Sequence, residues 1–114
     1  MKTLKLLAAL FVFAQQVSAG DQPIFCEGDT SWRLEVADEL ATLSFPSPTE
    51  LEVMLTTTAE GRDWPVAYTL IGQRDTAVLI LDRRQCGDKP LTAELLTQRA
   101  QTPIFLTGCC EYAE

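Results

Sequence analysis

The chain has 114 residues, 46% of them hydrophobic, with four cysteines and no histidine. Nine basic residues face 16 acidic ones, a net charge of −7, which argues against nucleic acid or anionic lipid as a partner. The absence of histidine removes the commonest general base and the commonest zinc ligand together.

Residues 1–19 read as a secretory signal peptide. Lys2 and Lys5 form a positive n-region, Leu6 to Ala14 an apolar h-region, and Val17-Ser18-Ala19 offers small residues for cleavage. The apolar stretch falls short of the roughly 20 residues that span a bilayer, and no other stretch is apolar enough, so no membrane span is expected once the leader is removed. Residues 20–114 then form a single exported domain of 95 residues, a size whose core is adequate but benefits from covalent help. Lys2 and Lys5 leave with the leader and no acid does, so seven basic residues remain against 16 acidic ones, −9 net. That balance permits a cationic partner and keeps an exported protein soluble.

From Cys26 onward the hydrophobic period is two, with turn residues every 8 to 12 positions, the pattern of an all-β domain. Cys26-Glu27-Gly28-Asp29 ends a short opening segment with turn-forming chemistry. Ser31 to Val36 alternates, with Trp32, Leu34 and Val36 on one face. Leu40 to Phe45 follows and is stopped by Pro46-Ser47-Pro48, because proline cannot donate to a ladder. Glu50 to Thr58 is a third strand, with Leu51, Val53 and Leu55 sharing one face and Glu52, Met54 and Thr56 the other. Ala59 to Asp63 is a polar loop, and extended structure resumes at Trp64-Pro65.

Val66 to Ile71 and Thr76 to Leu81 flank Gly72-Gln73-Arg74-Asp75, a hairpin. Ala77 to Leu81 is apolar on both faces, as the most central strand would be. Asp82 to Pro90 is a charged loop. Leu91 to Ala100 fits a helix or a strand, and the strand is preferred; Gln98 to Gln101 turns it into the closing run Thr102 to Cys110. The count is about seven or eight strands, and the expected architecture is a small antiparallel barrel, closed or nearly so, with a two-sheet sandwich as the alternative.

Four cysteines in an exported chain of this length predict two disulfides. A bond between Cys109 and Cys110 would strain a ring between neighbours. On a strand the two point to opposite faces and so require different partners. Cys86–Cys109 with Cys26–Cys110 is favoured, and the crossed pairing remains the alternative.

The sequence predicts no enzyme, no cofactor and no metal site. Glu27 with Asp29, and Glu50 with Glu52, are the conceivable carboxylate pairs, but no calcium-loop spacing accompanies them. Arg83-Arg84 beside Asp82 reads as an ordinary charged loop. No phosphate-cradling glycine loop and no nucleophile elbow occurs. Trp32 and Trp64 are core or rim fillers, and are also the residues that would offer a ligand or partner surface.

Cys26-Glu27-Gly28-Asp29-Thr30-Ser31-Trp32-Arg33-Leu34-Glu35-Val36 resembles the G-x-E-P-F-W-x-x-x-I opening of an uncharacterised family of small bacterial exported or periplasmic β domains, with Asp29-Thr30-Ser31 where the family has E-P-F. Members of that family also carry a mid-chain cysteine followed by an acidic or polar stretch and finish on a strand ending L-x-G-C, features similar to Cys86-Gly87-Asp88 and Leu106-Thr107-Gly108-Cys109. The resemblance implies a small exported β domain and supports the Cys86–Cys109 pairing, with Cys26 and Cys110 as an additional pair; it implies no catalytic residues. A looser similarity, in barrel, export and acidity, is to the periplasmic inhibitors of c-type lysozyme, without their Ser-Ala-Ser-Gly loop or lysine-glycine element. The expectation is therefore a non-enzymatic periplasmic or secreted β-barrel that acts by binding. Inhibition of a cationic envelope enzyme such as lysozyme is the first alternative, and a small-ligand carrier or carboxylate-dependent enzyme using the barrel mouth is the second.

Overall fold

The computed structural model describes residues 22–99 and 101–113; the leader expected at residues 1–19 lies outside them. Eight strands follow one another: β1 (Ile24–Glu27), β2 (Arg33–Ala37), β3 (Leu40–Ser44), β4 (Pro48–Thr58), β5 (Val66–Ile71), β6 (Thr76–Asp82), β7 (Leu91–Arg99) and β8 (Thr102–Tyr112). Each pairs antiparallel with its chain neighbour, and β8 returns to β1, so the sheet closes into a barrel. Closure gives every strand a neighbour on each side, although β3 reaches only as far as Glu52 along β4 and β1 covers only Cys109 to Tyr112 of β8. It also removes the sandwich alternative, and with it any most central strand: β6 has two neighbours like the rest, and its outward Val78 and Ile80 are half-buried.

Period-two alternation sorts the side chains. Ile24 and Cys26, Leu34 and Val36, Ala41 and Leu43, Leu51, Leu70, Ala77, Leu79 and Leu81, Leu91, Ala93 and Leu95, and Leu106 and Cys110 form one buried cluster inside the barrel. An apolar interior with Glu27, Arg33, Glu35, Glu50, Glu52 and Glu94 exposed outside is the reverse of a membrane-spanning barrel, and the four and five residues of β1, β2 and β3 are too few to cross a bilayer.

Several expectations are corrected by this geometry. Ile24 to Glu27 is a true strand, held between β2 and β8, and the turn begins only at Gly28. The ambiguous segment is strand β7, paired with both β6 and β8, and the turn into β8 is shorter than expected; Ala100 within it lies outside the described residues. In β4 the register shifts between Val53 and Leu55, so Leu55 does not join Leu51 and Val53 inside but stands 63% exposed. A bulge of this kind places two residues opposite one and re-aims everything beyond it. Finally, β8 runs two residues past Cys110, to Tyr112.

One end of the barrel, where β1 finishes and β2 begins, is filled by Trp32. The indole is fully buried and donates its Nε1–H to the Thr107 carbonyl at 3.1 Å, so the ring's polar atom is satisfied. Two glycines make room for it. A Cβ on Gly28 would collide with the indole nitrogen and the Thr107 carbonyl; one on Gly108 would meet the Glu27 carbonyl and come within 2.8 Å of the ring. Nearby, the buried Thr97 hydroxyl donates to the Thr76 carbonyl at 2.8 Å.

Both disulfides take the favoured pairing. Cys26–Cys110 lies inside, between residues directly opposite one another on β1 and β8, with Cα atoms 4.1 Å apart. Cys86–Cys109 lies outside, with Cα atoms 5.5 Å apart, and pins the loop between β6 and β7 to β8. The same loop is held by paired backbone hydrogen bonds between Cys86 and Lys89 and by the Lys89–Glu111 ion pair at 3.0 Å. Disulfides form and persist in oxidising compartments, and two of them suit this fold to an oxidising environment.

Candidate functional site

The end opposite Trp32 is open. Eight strands enclose an interior just wide enough either to fill with side chains or to hold one small ligand. Leucines fill the middle here, but towards this end the short β1 and β2 meet the long β4 and β8, and the wall is uneven. The result is a cavity of about 530 Å³, within the range typical of small-molecule sites.

Its wall is assembled from five places in the chain. Ile24 and Val36 come from the start of β1 and the end of β2. Val53, Thr56 and Thr58 come from β4, where the bulge turns the two threonines towards Tyr68 and Val66 of β5. Trp64, in the loop before β5, is half-buried, and Tyr112 closes the ring from the end of β8 opposite Ile24. Aliphatic and aromatic groups thus dominate, with two threonine hydroxyls, two phenols and the Gln22 amide as uncharged polar handles.

Burial, and next the neighbouring Tyr112 phenol, hold the Tyr68 hydroxyl above its ordinary value, so it is protonated and available as a donor at neutral pH. Outside the wall, the Arg83 guanidinium stands over the Trp64 ring, 5.7 Å from its centroid, a cation–π contact that fixes the indole on the rim.

The lip is acidic. Asp38 and Glu39 form the two-residue turn between β2 and β3, since Ala37 pairs with Leu40. Asp38 has φ 59°, a left-handed conformation that aspartate tolerates better than most residues. The Glu39 carbonyl accepts a hydrogen bond from the Val53 N–H at 2.9 Å, the donor at the β4 bulge. The turn is therefore tied to the wall opposite it. Asp38 and Glu39 are the two charged residues among the cavity's lining groups, and both are negative.

The residues singled out in the sequence separate. Trp32 is core, with no surface to offer a ligand or partner, whereas Trp64 lines the mouth. Cys26, Cys86, Cys109 and Cys110 are all consumed in bridges. Glu27 and Asp29 are exposed at the Trp32 end, and Glu50 and Glu52 sit on the outer surface of β4; neither pair enters the cavity. Among the described residues no group of three or more His, Cys, Asp or Glu side chains could hold a metal ion.

Tyr68, Tyr112 and the Asp38-Glu39 lip were not singled out by the sequence. Period two carries a signal for both tyrosines: Tyr68 has the parity of Leu70, and Tyr112 that of Cys110. Compared with protein-family models, with curated proteins and with solved structures, the chain finds no match.

Proposed function

We propose that this chain is an exported, non-enzymatic binding domain of the cell envelope or its surroundings, and that the open mouth of its barrel is its binding surface. The observation that carries the reading is the contrast between the two ends: one plugged by the buried Trp32, with only a polar outer cleft beside Glu27, Ser31 and Arg33, the other holding a mainly apolar cavity of about 530 Å³ walled by Trp64, Tyr68 and Tyr112. A sequence without histidine, with all four cysteines bridged, leaves that mouth equipped for contact more than for group transfer. The leader-like residues 1–19 and the disulfides support export. A second reading, inhibition of a cationic envelope enzyme such as lysozyme, draws on the acidic lip and the negative net charge.

The neutral fluorophore N-phenylnaphthylamine tests both. Wild-type protein should enhance its emission saturably at one site. Trp64→Ala and Tyr68→Ala should weaken binding several-fold, and Phe105→Ser, on the outer face, should leave it unchanged. Displacement of the dye by a c-type lysozyme at low salt would favour the inhibitor reading. Loss of dye binding in Phe105→Ser but not in the mouth variants, or no saturable binding at all, would overturn the assignment of the mouth.

A further inference from the structure

The charge pattern of the mouth specifies its occupant more narrowly than its shape does. A ligand that fills this cavity must place an apolar body against Ile24, Val36, Val53 and Val66 and bring whatever remains outside past the Asp38-Glu39 turn. Among the described residues no cation lines the mouth to receive an anionic head; Arg83 is engaged over the Trp64 ring and is not one of the lining groups. The wider field has the same sign, with 16 acidic against nine basic residues in the whole chain. We infer that the mouth takes an amphipathic cation, a small molecule with an aliphatic or aromatic body and a single ammonium or guanidinium head, seated with its body in the barrel and its head at Asp38 and Glu39. This rests on the mouth being the binding surface, and it adds the chemistry of the ligand.

Three features support that placement. Both acids belong to one tight turn, and the turn is anchored by the Val53 N–H to Glu39 carbonyl hydrogen bond, so the charges are held at the lip rather than carried on a long loop. Directly below them the wall is apolar, so body and head are sorted by depth. The Tyr112 ring at the rim favours a neighbouring cation through its π face, the Trp64 ring already carrying Arg83. Because the two carboxylates are exposed and screened by solvent, the preference is a matter of selectivity more than of raw affinity: each exposed pair contributes little, and the two acids acting together give about tenfold between a cation and an anion of the same body at low ionic strength.

Three octyl compounds, used below their micellar concentrations, separate body from head: octyltrimethylammonium, octanol and octyl sulfate. Binding to the full chain is read by calorimetry and by tryptophan emission. The chain has two tryptophans and Trp32 is fully buried, so the ligand-sensitive emission belongs to Trp64. The expected order of affinity is ammonium, then alcohol, then sulfate, with about tenfold between the charged pair, narrowing as salt is raised. The double variant Asp38→Asn, Glu39→Gln keeps the turn, because asparagine also tolerates the left-handed conformation, and should erase the order while leaving octanol binding unchanged. Equal binding of all three by the wild type, or an order that survives in the double variant, overturns the inference and leaves the mouth standing as a binding surface. If none of the three binds, both the inference and the binding reading fall.

Discussion

Tyr68 is a phenol set in an apolar wall, and its chemistry follows from that position. Burial raises its pKa above the ordinary 10.0, and the neighbouring Tyr112 raises it further. The unfolded chain therefore gives up this proton first as pH climbs. Above about pH 10 the folded state binds more protons than the unfolded one, so stability falls with rising pH; below that value both states are protonated and the full stability is present. Urea midpoints should drop as pH rises past about 10 in the wild type, and the drop should be smaller in Tyr68→Phe. The chain has two tyrosines, so Tyr112→Phe leaves the Tyr68 transition alone in a tyrosinate absorbance titration. A midpoint at the ordinary value there would contradict the burial of this hydroxyl. The two tryptophans make the complementary point about what single residues reveal. Both read alike in the sequence, as large rings on or beside strands. What separates them is non-local: Gly28 and Gly108 clear a space for Trp32, while Trp64 meets Arg83 at the rim.

At the scale of strands, alternation was the most legible signal, and β7 shows both its strength and its limit. Leu91, Ala93, Leu95 and Thr97 face inward. The adjacent leucines Leu95 and Leu96 invite a helical reading, yet Leu95 is fully buried and Leu96 is 45% exposed. Leu95→Ala should cost about 2–5 kcal/mol, and Leu96→Ala about 0.5 kcal/mol or less, by urea denaturation. Similar costs for the two would contradict the strand and its register. Strand β4 was misread beyond Val53 for a physical reason. Glu50 to Leu55 alternates cleanly in sequence, but the pairing with β5 slips, Val53 standing opposite Leu70 and Leu55 opposite Thr69, and the extra residue turns Leu55 out and Thr56 towards Tyr68. The slip exists only against the partner strand, so no local pattern announces it. Strand β1 escaped notice because its four residues are too few to display a period, and its partners β2 and β8 supply the evidence instead. The missed bulge and the extra residues of β8 are the features that shape the mouth, so the site was less legible than the fold.

For the whole molecule, the decisive event is joining the two ends of the chain. Closure was foreseeable from the strand count and from a bridge between distant cysteines, but which end stays open was not, because that depends on Trp32 and on unequal strand lengths. The β1–β8 seam has only four residue pairs, from Ile24 opposite Tyr112 to Glu27 opposite Cys109, and Cys26–Cys110 bolts its middle. That bridge spans 84 residues and Cys86–Cys109 spans 23. Loop-closure entropy alone assigns them about 4.6 and about 3.4 kcal/mol. The inner bridge is also core: both its cysteines are fully buried, so alanines there lose packing as well as the link, whereas Cys86 and Cys109 are half-buried. Cys26→Ala with Cys110→Ala should therefore lower the urea midpoint more than Cys86→Ala with Cys109→Ala. The two pairs should also differ in binding. Ile24 and Tyr112, both in the wall of the mouth, lie two residues from Cys26 and Cys110 on the same inner face, so releasing the inner bridge loosens that wall, while the outer bridge secures a loop that does not line it. Dye affinity should fall in the inner variant even under conditions where it remains folded, and hold in the outer one. The reverse order, in either stability or binding, would mean that the seam is held by its hydrogen bonds and packing without need of the bolt.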